Sequence, residues 1–228
     1  MNTVNGAFPV VADWWRSLNA RVGGSLFAVA PSLQILAARA LVAADCTVHV
    51  DLILDEAGKH VGVSLDEFEA VMAEVPKAFA DVHLMLGEGA GHGEAADREI
   101  VRLLARLQEL QIAHLSVSRD MWRDHADAIA RVRKAGIPVW LEIPPDDDGA
   151  DIPALADGVL VMFIQPGTTG AADPTCLEKI PAITDHYVVG VDGGITSSLA
   201  RACADAGASY IVSGRALLRQ PTVHQKER

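Results

Sequence analysis

Basic residues are in short supply: Lys and Arg total 19 against 30 Asp and Glu, a formal charge of −11 over 228 residues. That balance excludes a general nucleic-acid binder, which needs a basic footprint for phosphates. It leaves room for a local anion site made of backbone N–H groups, which need no net positive charge. Cysteine is also sparse. Cys46, Cys176 and Cys203 lie far apart, are odd in number and form no C-x-x-C pair. A disulfide framework or a cysteine zinc site is therefore not expected, and a reducing, cytoplasmic setting is. No apolar stretch reaches the roughly 18–20 residues that span a bilayer, so no membrane partner is expected. The opening run, MNTVNGAFPVVADWW, has no basic start and only a short apolar stretch broken by Asp13, unlike a secretory leader. What is plentiful is apolar side chain: half of the residues are hydrophobic, enough for a real core, which excludes global disorder.

From Ser25 onward, short β-branched runs alternate with Ala-rich stretches of helical period. The runs fall at 25–32, 46–53, 78–86, 112–118, 137–143, 158–164, 187–193 and 209–214. Starts roughly 20–35 residues apart leave room for a strand, a helix and two loops, the parallel βα unit. Several runs are almost continuously apolar, as strands covered on both faces are. Between them, Glu94 to Leu110 places Ile100, Leu103, Leu104, Leu107 and Leu110 on one helical face. Ser64 with Glu67 predicts a capping box, and Gly136 followed by Pro138 predicts a helix end. The acidic, Pro-rich stretch 143–153 reads as a loop. Eight such units predict a single-domain (β/α)8 TIM barrel over residues 25–228, preceded by an N-terminal extension over 1–24 containing Trp14 and Trp15. A doubly wound open sheet is the alternative, but its G-x-G-x-x-G fingerprint is absent.

In a parallel barrel, chemistry sits at the C-terminal ends of the strands. The second run ends His49-Val50-Asp51, whose i and i+2 side chains share a face and suit a divalent metal. The third carries His83 in Asp81-Val82-His83-Leu84-Met85, where a hydrogen-bonded core histidine is the plainer reading. The seventh ends Asp192-Gly193-Gly194, either a carboxylate beside a closely approaching backbone or only a tight turn. Pro166-Gly167-Thr168-Thr169-Gly170 and Ser213-Gly214-Arg215 follow the sixth and eighth runs, where barrels often build phosphate sites. Two His and two Asp on three strands, beside glycine-rich loops, form one constellation. Such N/O ligands suit a single Zn²⁺, Fe²⁺, Mn²⁺ or Co²⁺ ion without choosing among them.

On these segments, with Ala30-Pro31-Ser32, Val161-Met162-Phe163-Ile164-Gln165-Pro166-Gly167 and Val191-Asp192-Gly193-Gly194-Ile195, the sequence resembles the ribulose-phosphate 3-epimerase family from about Phe27 to Leu218. The resemblance implies an isomerase, a metal-dependent epimerase inverting C3 of a ketose phosphate by two-Asp proton transfer through an enediolate. It places the metal ligands on His49, Asp51, His83 and Asp192, and the acid/base pair on Asp51 and Asp192. It assigns substrate contacts to Ser32, His83, Met85 and Met162, and phosphate contacts to Gly167, Gly170, Gly193, Gly194, Ser213 and Gly214. A lid over 166–173, a sugar-phosphate partner from carbohydrate and pentose phosphate metabolism, and a homo-oligomer are implied with it.

The chain departs from the family pattern around the sugar. Ile53 stands for a Met, Ser116-Val117-Ser118-Arg119 lacks a His, and Glu142-Ile143-Pro144-Pro145 replaces an Asn-Pro-Ala-Thr-Pro stretch. Gly167-Thr168-Thr169-Gly170 replaces Gly-Phe-Gly-Gly. The sugar is therefore open between ribulose 5-phosphate/xylulose 5-phosphate and a related pentulose or hexulose phosphate. Two other readings compete. One is a decarboxylase or aldol-type synthase on a related phosphate-binding barrel; such proteins resemble each other in an Asp-x-Lys-x-x-Asp motif on strand three, and the run from Asp81 to Leu86 has no Lys. A non-catalytic sugar-phosphate-binding barrel would need no paired Asp51 and Asp192.

Overall fold

The computed structural model describes residues 9–87 and 93–219. Residues 1–8 of the expected extension, and 88–92 and 220–228 of the expected barrel span, lie outside them. A short strand β1 (Val10–Val11) comes first. Eight strands follow: β2 (Arg21–Ser25), β3 (Thr47–Leu54), β4 (Ala80–Leu86), β5 (Leu115–Val117), β6 (Val139–Ile143), β7 (Gly158–Met162), β8 (Val189–Asp192) and β9 (Tyr210–Ser213). Each pairs in parallel with the next, and β9 closes on β2, giving a single closed barrel. A last strand, β10 (Leu218–Arg219), runs antiparallel to β1.

The outer layer is made by α1 (Gln34–Ala43), α2 (Leu65–Glu74), α3 (Glu94–Leu107), α4 (Arg119–Asp124), α5 (Ala126–Lys134), α6 (Ile180–Thr184) and α7 (Ser197–Asp205). Local sequence chemistry sets their bounds. Ser64 and Glu67 form the reciprocal capping box at the start of α2. Ile100, Leu103, Leu104 and Leu107 are fully buried along α3, and the expected Leu110 falls beyond its end. Gly136 takes φ +88° just past α5, a left-handed position that costs glycine little. The connection from β6 to β7 carries no helix, in keeping with its loop reading. Among the described residues, no helix is long and apolar enough to cross a membrane.

One strand lies elsewhere than expected. The run at 25–32 is not a strand: the barrel begins with β2 at Arg21, and 3-10 turns at Leu26–Ala28 and Pro31–Leu33 carry the chain out to α1. Its Gly-Gly centre hides the strand in the sequence, and packing explains the glycines. A Cβ on Gly23 would stand 2.0 Å from the Tyr210 hydroxyl, and one on Gly24 2.4 Å from a Leu41 methyl. The lumen itself is filled by Trp140, Leu160, Met162, Tyr210 and Val212. Gly158 and Gly190 give Trp140 its room, since Cβ atoms there would approach the indole within 2.5 and 2.8 Å. Large rings on two strands are thus matched by absent side chains on their neighbours.

The described part of the N-terminal segment packs against the outside of the barrel. Trp14, Trp15 and Leu18 pack on the core, β1 lies against α1, and the 3-10 turn Trp14–Ser17 lies against α7. The Trp14 indole N–H donates to the Ala216 carbonyl at 3.0 Å. Residues 10–18 therefore cover the outer face between the last and first helices of the barrel.

Candidate active site

The parallel register sets the site. Asp51 on β3 lies beside His83 on β4, His49 beside Asp81, and Ser25 beside His49. Adjacent partners in a sheet point to the same face, so these polar groups all face the lumen. Asp192 enters from β8. One donor atom from each of His49, Asp51, His83 and Asp192 lies within 4.8 Å of the others. His49 Nε2 is 3.2 Å from Asp51 Oδ1 and 3.5 Å from Asp192 Oδ2. His83 Nδ1 is 4.0 Å from Asp51 Oδ1 and 3.9 Å from Asp192 Oδ2.

Each group is held from behind. Ser25 Oγ donates to Asp51 Oδ2 at 2.6 Å, leaving Oδ1 toward the imidazoles. The Gly193 N–H donates to Asp192 Oδ1 at 2.6 Å, leaving Oδ2 toward them. His49 Nδ1 pairs with Asp81 Oδ2 at 2.5 Å, and the Tyr210 hydroxyl donates to the other Asp81 oxygen. His83 Nε2 pairs with Glu142 Oε2 at 2.6 Å. The remaining nitrogen, His83 Nδ1, is buried without a hydrogen-bond partner. A buried, unpartnered imidazole nitrogen facing two carboxylates fits a cation: the four groups are hard and borderline donors at spacings that metal–ligand bonds of about 2.0–2.2 Å accommodate.

The electrostatics agree. Burial alone would lower the His49 pKa, but the Asp81 and Asp51 carboxylates hold it well above its usual value. Burial likewise works against the charged Asp51, yet the His49 and His83 rings and the Ser25 hydroxyl bring it down to about 2. Positive charge is favoured at this point, and a divalent cation could supply it in place of protons.

Asp51 and Asp192 also line a cavity of about 970 Å³ at the barrel mouth. Met85 and Met162 line it too, and Met85 Sδ accepts the Gly167 N–H at 3.0 Å. Gly167, Gly170, Gly194 and Gly214 form a further part of its wall. Among the described residues no hydrogen bond takes the N–H of Gly170 or Gly194. The start of α7 faces the same cavity through Thr196 and Leu199. Open N–H groups and a helix N-terminus together favour an anion.

Four expected contacts fall differently. Ser32 is exposed on the turn Pro31–Leu33, outside the cavity, because the strand has already ended; Ser25 is the serine at the site. Ser213 is buried and donates to the Ile195 carbonyl at 2.8 Å, bracing the loop and not lining the cavity. Gly193 lines the cavity, but its N–H is taken by Asp192. His83 lies behind the cavity wall at zero exposure. Sequence reasoning missed Ser25 and the supporting Asp81, Tyr210 and Glu142, and Arg215 of the expected phosphate segment is a basic residue on the cavity wall. Inward-facing parity with His83 along the neighbouring strands was the available signal for Glu142.

The description "Ribulose-phosphate 3 epimerase family" matches residues 33–218. A ribulose-phosphate 3-epimerase of Schizosaccharomyces pombe is 32% identical over 148 residues, covering 62% of this chain and 60% of that protein. The corresponding protein of Chlamydia muridarum is 31% identical over 111 residues, covering 42% and 48%. The chain thus spans about three fifths or less of the length of these curated relatives. Among solved structures, a mutant tryptophan synthase alpha-subunit from Pyrococcus furiosus superposes with TM-score 0.61 at 16% identity, covering 87% of this chain and 88% of that one. That likeness is one of fold.

Proposed function

The chain belongs to the ribulose-phosphate 3 epimerase family, and from that premise we propose that it is an isomerase inverting C3 of a ketose phosphate. The observation that carries the reading is the convergence of His49, Asp51, His83 and Asp192 within 4.8 Å, with Asp51 and Asp192 lining a cavity. A divalent cation held by these four would supply Lewis-acid polarisation of the sugar ketone.

The protein's own part is to hold charge and move protons. Asp51 is held in its ionised form, the form that can accept a proton from carbon. Asp192 comes from a strand well round the barrel from β3, so the two carboxylates reach a bound sugar from different sides. One removes the C3 proton and the other returns one to the opposite face. Two groups of the same kind suit a nearly symmetric reaction that runs both ways. The N–H groups of Gly170 and Gly194, with Arg215 beside them, hold the phosphate. Binding energy from that non-reacting end fixes the sugar over the carboxylates. The loop 166–173 is the lid, with Gly167 anchored to Met85.

The test is a panel of pentulose and hexulose phosphates in D₂O, followed by NMR, with metal analysis of the purified protein. Deuterium entering C3 together with formation of the C3 epimer is the expected outcome. Metal and phosphate binding without exchange for any sugar would replace this reading with a non-catalytic sugar-phosphate binder.

A further inference from the structure

We propose that Glu142 is the positioning residue that sets which nitrogen His83 offers to the cation site, a role that rests on the metal-dependent reading above. Glu142 stands on β6 and His83 on β4, with β5 between them. Strands lie about 4.8 Å apart, so the carboxylate must reach across roughly two spacings. It does so beside Ser116, which is paired with His83 on one side and with Trp140 on the other. Trp140 is a lumen residue, so Ser116 and Glu142 face the lumen as well. A small residue on the middle strand and a long acid on the next make one unit. They sit on two of the strand ends where the chain departs from the family pattern.

Glu142 is itself 3% exposed, and among the described residues His83 is its one ion-pair partner. Burying a carboxylate away from Lys and Arg is costly. Here it accepts the His83 Nε2–H at 2.6 Å, so the ring keeps its proton on Nε2 and presents bare Nδ1 to Asp51 and Asp192. Asp81 does the same for His49 from the opposite nitrogen, leaving Nε2 toward the site. Two imidazoles on neighbouring strands thereby aim different nitrogens at one point, because each carboxylate grips the nitrogen facing away.

The experiment compares Zn²⁺ or Co²⁺ affinity, by chelator competition without sugar, in wild type, Glu142→Ala and Glu142→Gln. Glu142→Ala should bind about 10–100-fold more weakly. Glu142→Gln still offers an oxygen to Nε2–H and should recover most of that loss. Wild-type affinity in Glu142→Ala, or a Gln variant as weak as the Ala one, would overturn the proposal. Should Glu142→Ala not fold, imidazole ¹⁵N NMR of Zn²⁺-loaded wild type decides. A proton on His83 Nε2 with Nδ1 shifted by the metal is expected, and the reverse assignment overturns the idea. Failure here is separable from failure of the epimerase reading. A weakened Ala variant with no ketose turnover sinks only the latter; full turnover with an unaffected Ala variant sinks only this one; a wild type that takes up no divalent cation sinks both.

Discussion

At the scale of single residues, the site is a balance of charge. Asp51 and Asp192 each spend one oxygen on a local donor and turn the other to the imidazoles. Asp192→Asn keeps that shape and removes the base. C3 proton exchange should fall by about 10²–10⁴-fold, while inorganic phosphate binds as in wild type, because the phosphate contacts are on other residues. Retained exchange would remove Asp192 from proton transfer. His49 gives a second prediction. Its carboxylate neighbours hold its pKa well above the usual 6.5, so the metal-free site favours a proton there. A cation must expel it. Metal affinity should therefore climb with pH, about tenfold per pH unit for each proton released. Calorimetry in buffers of different ionisation enthalpy checks this, and a pH-independent affinity between pH 6 and 8 would contradict it.

At the scale of elements, loops do what strands cannot. The 166–173 loop and the turn after β8 meet where Gly194 takes φ +67°, with the position of its missing Cβ 3.0 Å from the Ala172 nitrogen. Gly194→Ala adds both backbone strain and a collision with the 166–173 loop. The expected result is several-fold weaker phosphate binding and a raised KM, with little change in kcat, read from phosphate titration and steady-state kinetics. An unchanged KM would mean that this contact does not shape the phosphate end. The same scale explains what the sequence left hidden. The capping box of α2 and the apolar face of α3 were plain because they are local. The strand Arg21–Ser25 was not, because its glycines are there for Tyr210 and Leu41, which are distant in sequence.

At the scale of the whole molecule, a buried polar layer lies among the aromatics that fill the lumen. His114 stacks on Trp140 with ring centroids 3.9 Å apart and meets Tyr210 edge-on. Burial first, then nearby His49 and His83, push its pKa down to about 4 against the pull of Asp81. The folded protein thus resists a proton that the unfolded chain accepts near 6.5. Stability contributed by neutral His114 is complete above that pH and is lost as pH falls toward 4. The full displacement is worth roughly 3 kcal/mol. His49 has the opposite sign in the metal-free protein, so the clean measurement is a difference. Urea unfolding of metal-free wild type and His114→Phe, at pH 7.5 and 4.5, should show wild type losing roughly 2–3 kcal/mol more on acidification. Parallel losses would show that His114 does not carry this sensitivity.

Periodicity and local capping pointed to the barrel, because most of its strands and helices are each encoded over a few tens of neighbouring residues, although β6 and β7 are joined without a helix. The motifs His49-Val50-Asp51, Asp81-Val82-His83 and Asp192-Gly193-Gly194 likewise marked where donors would gather, since side-chain parity along a strand is a local property. Which serine reaches Asp51, which nitrogen each imidazole presents, and which glycine N–H stays open depended on strand register and on contacts across the lumen. Those are relations between residues as far apart as Asp81 and Tyr210, and only closure of the sheet brings them within hydrogen-bonding distance.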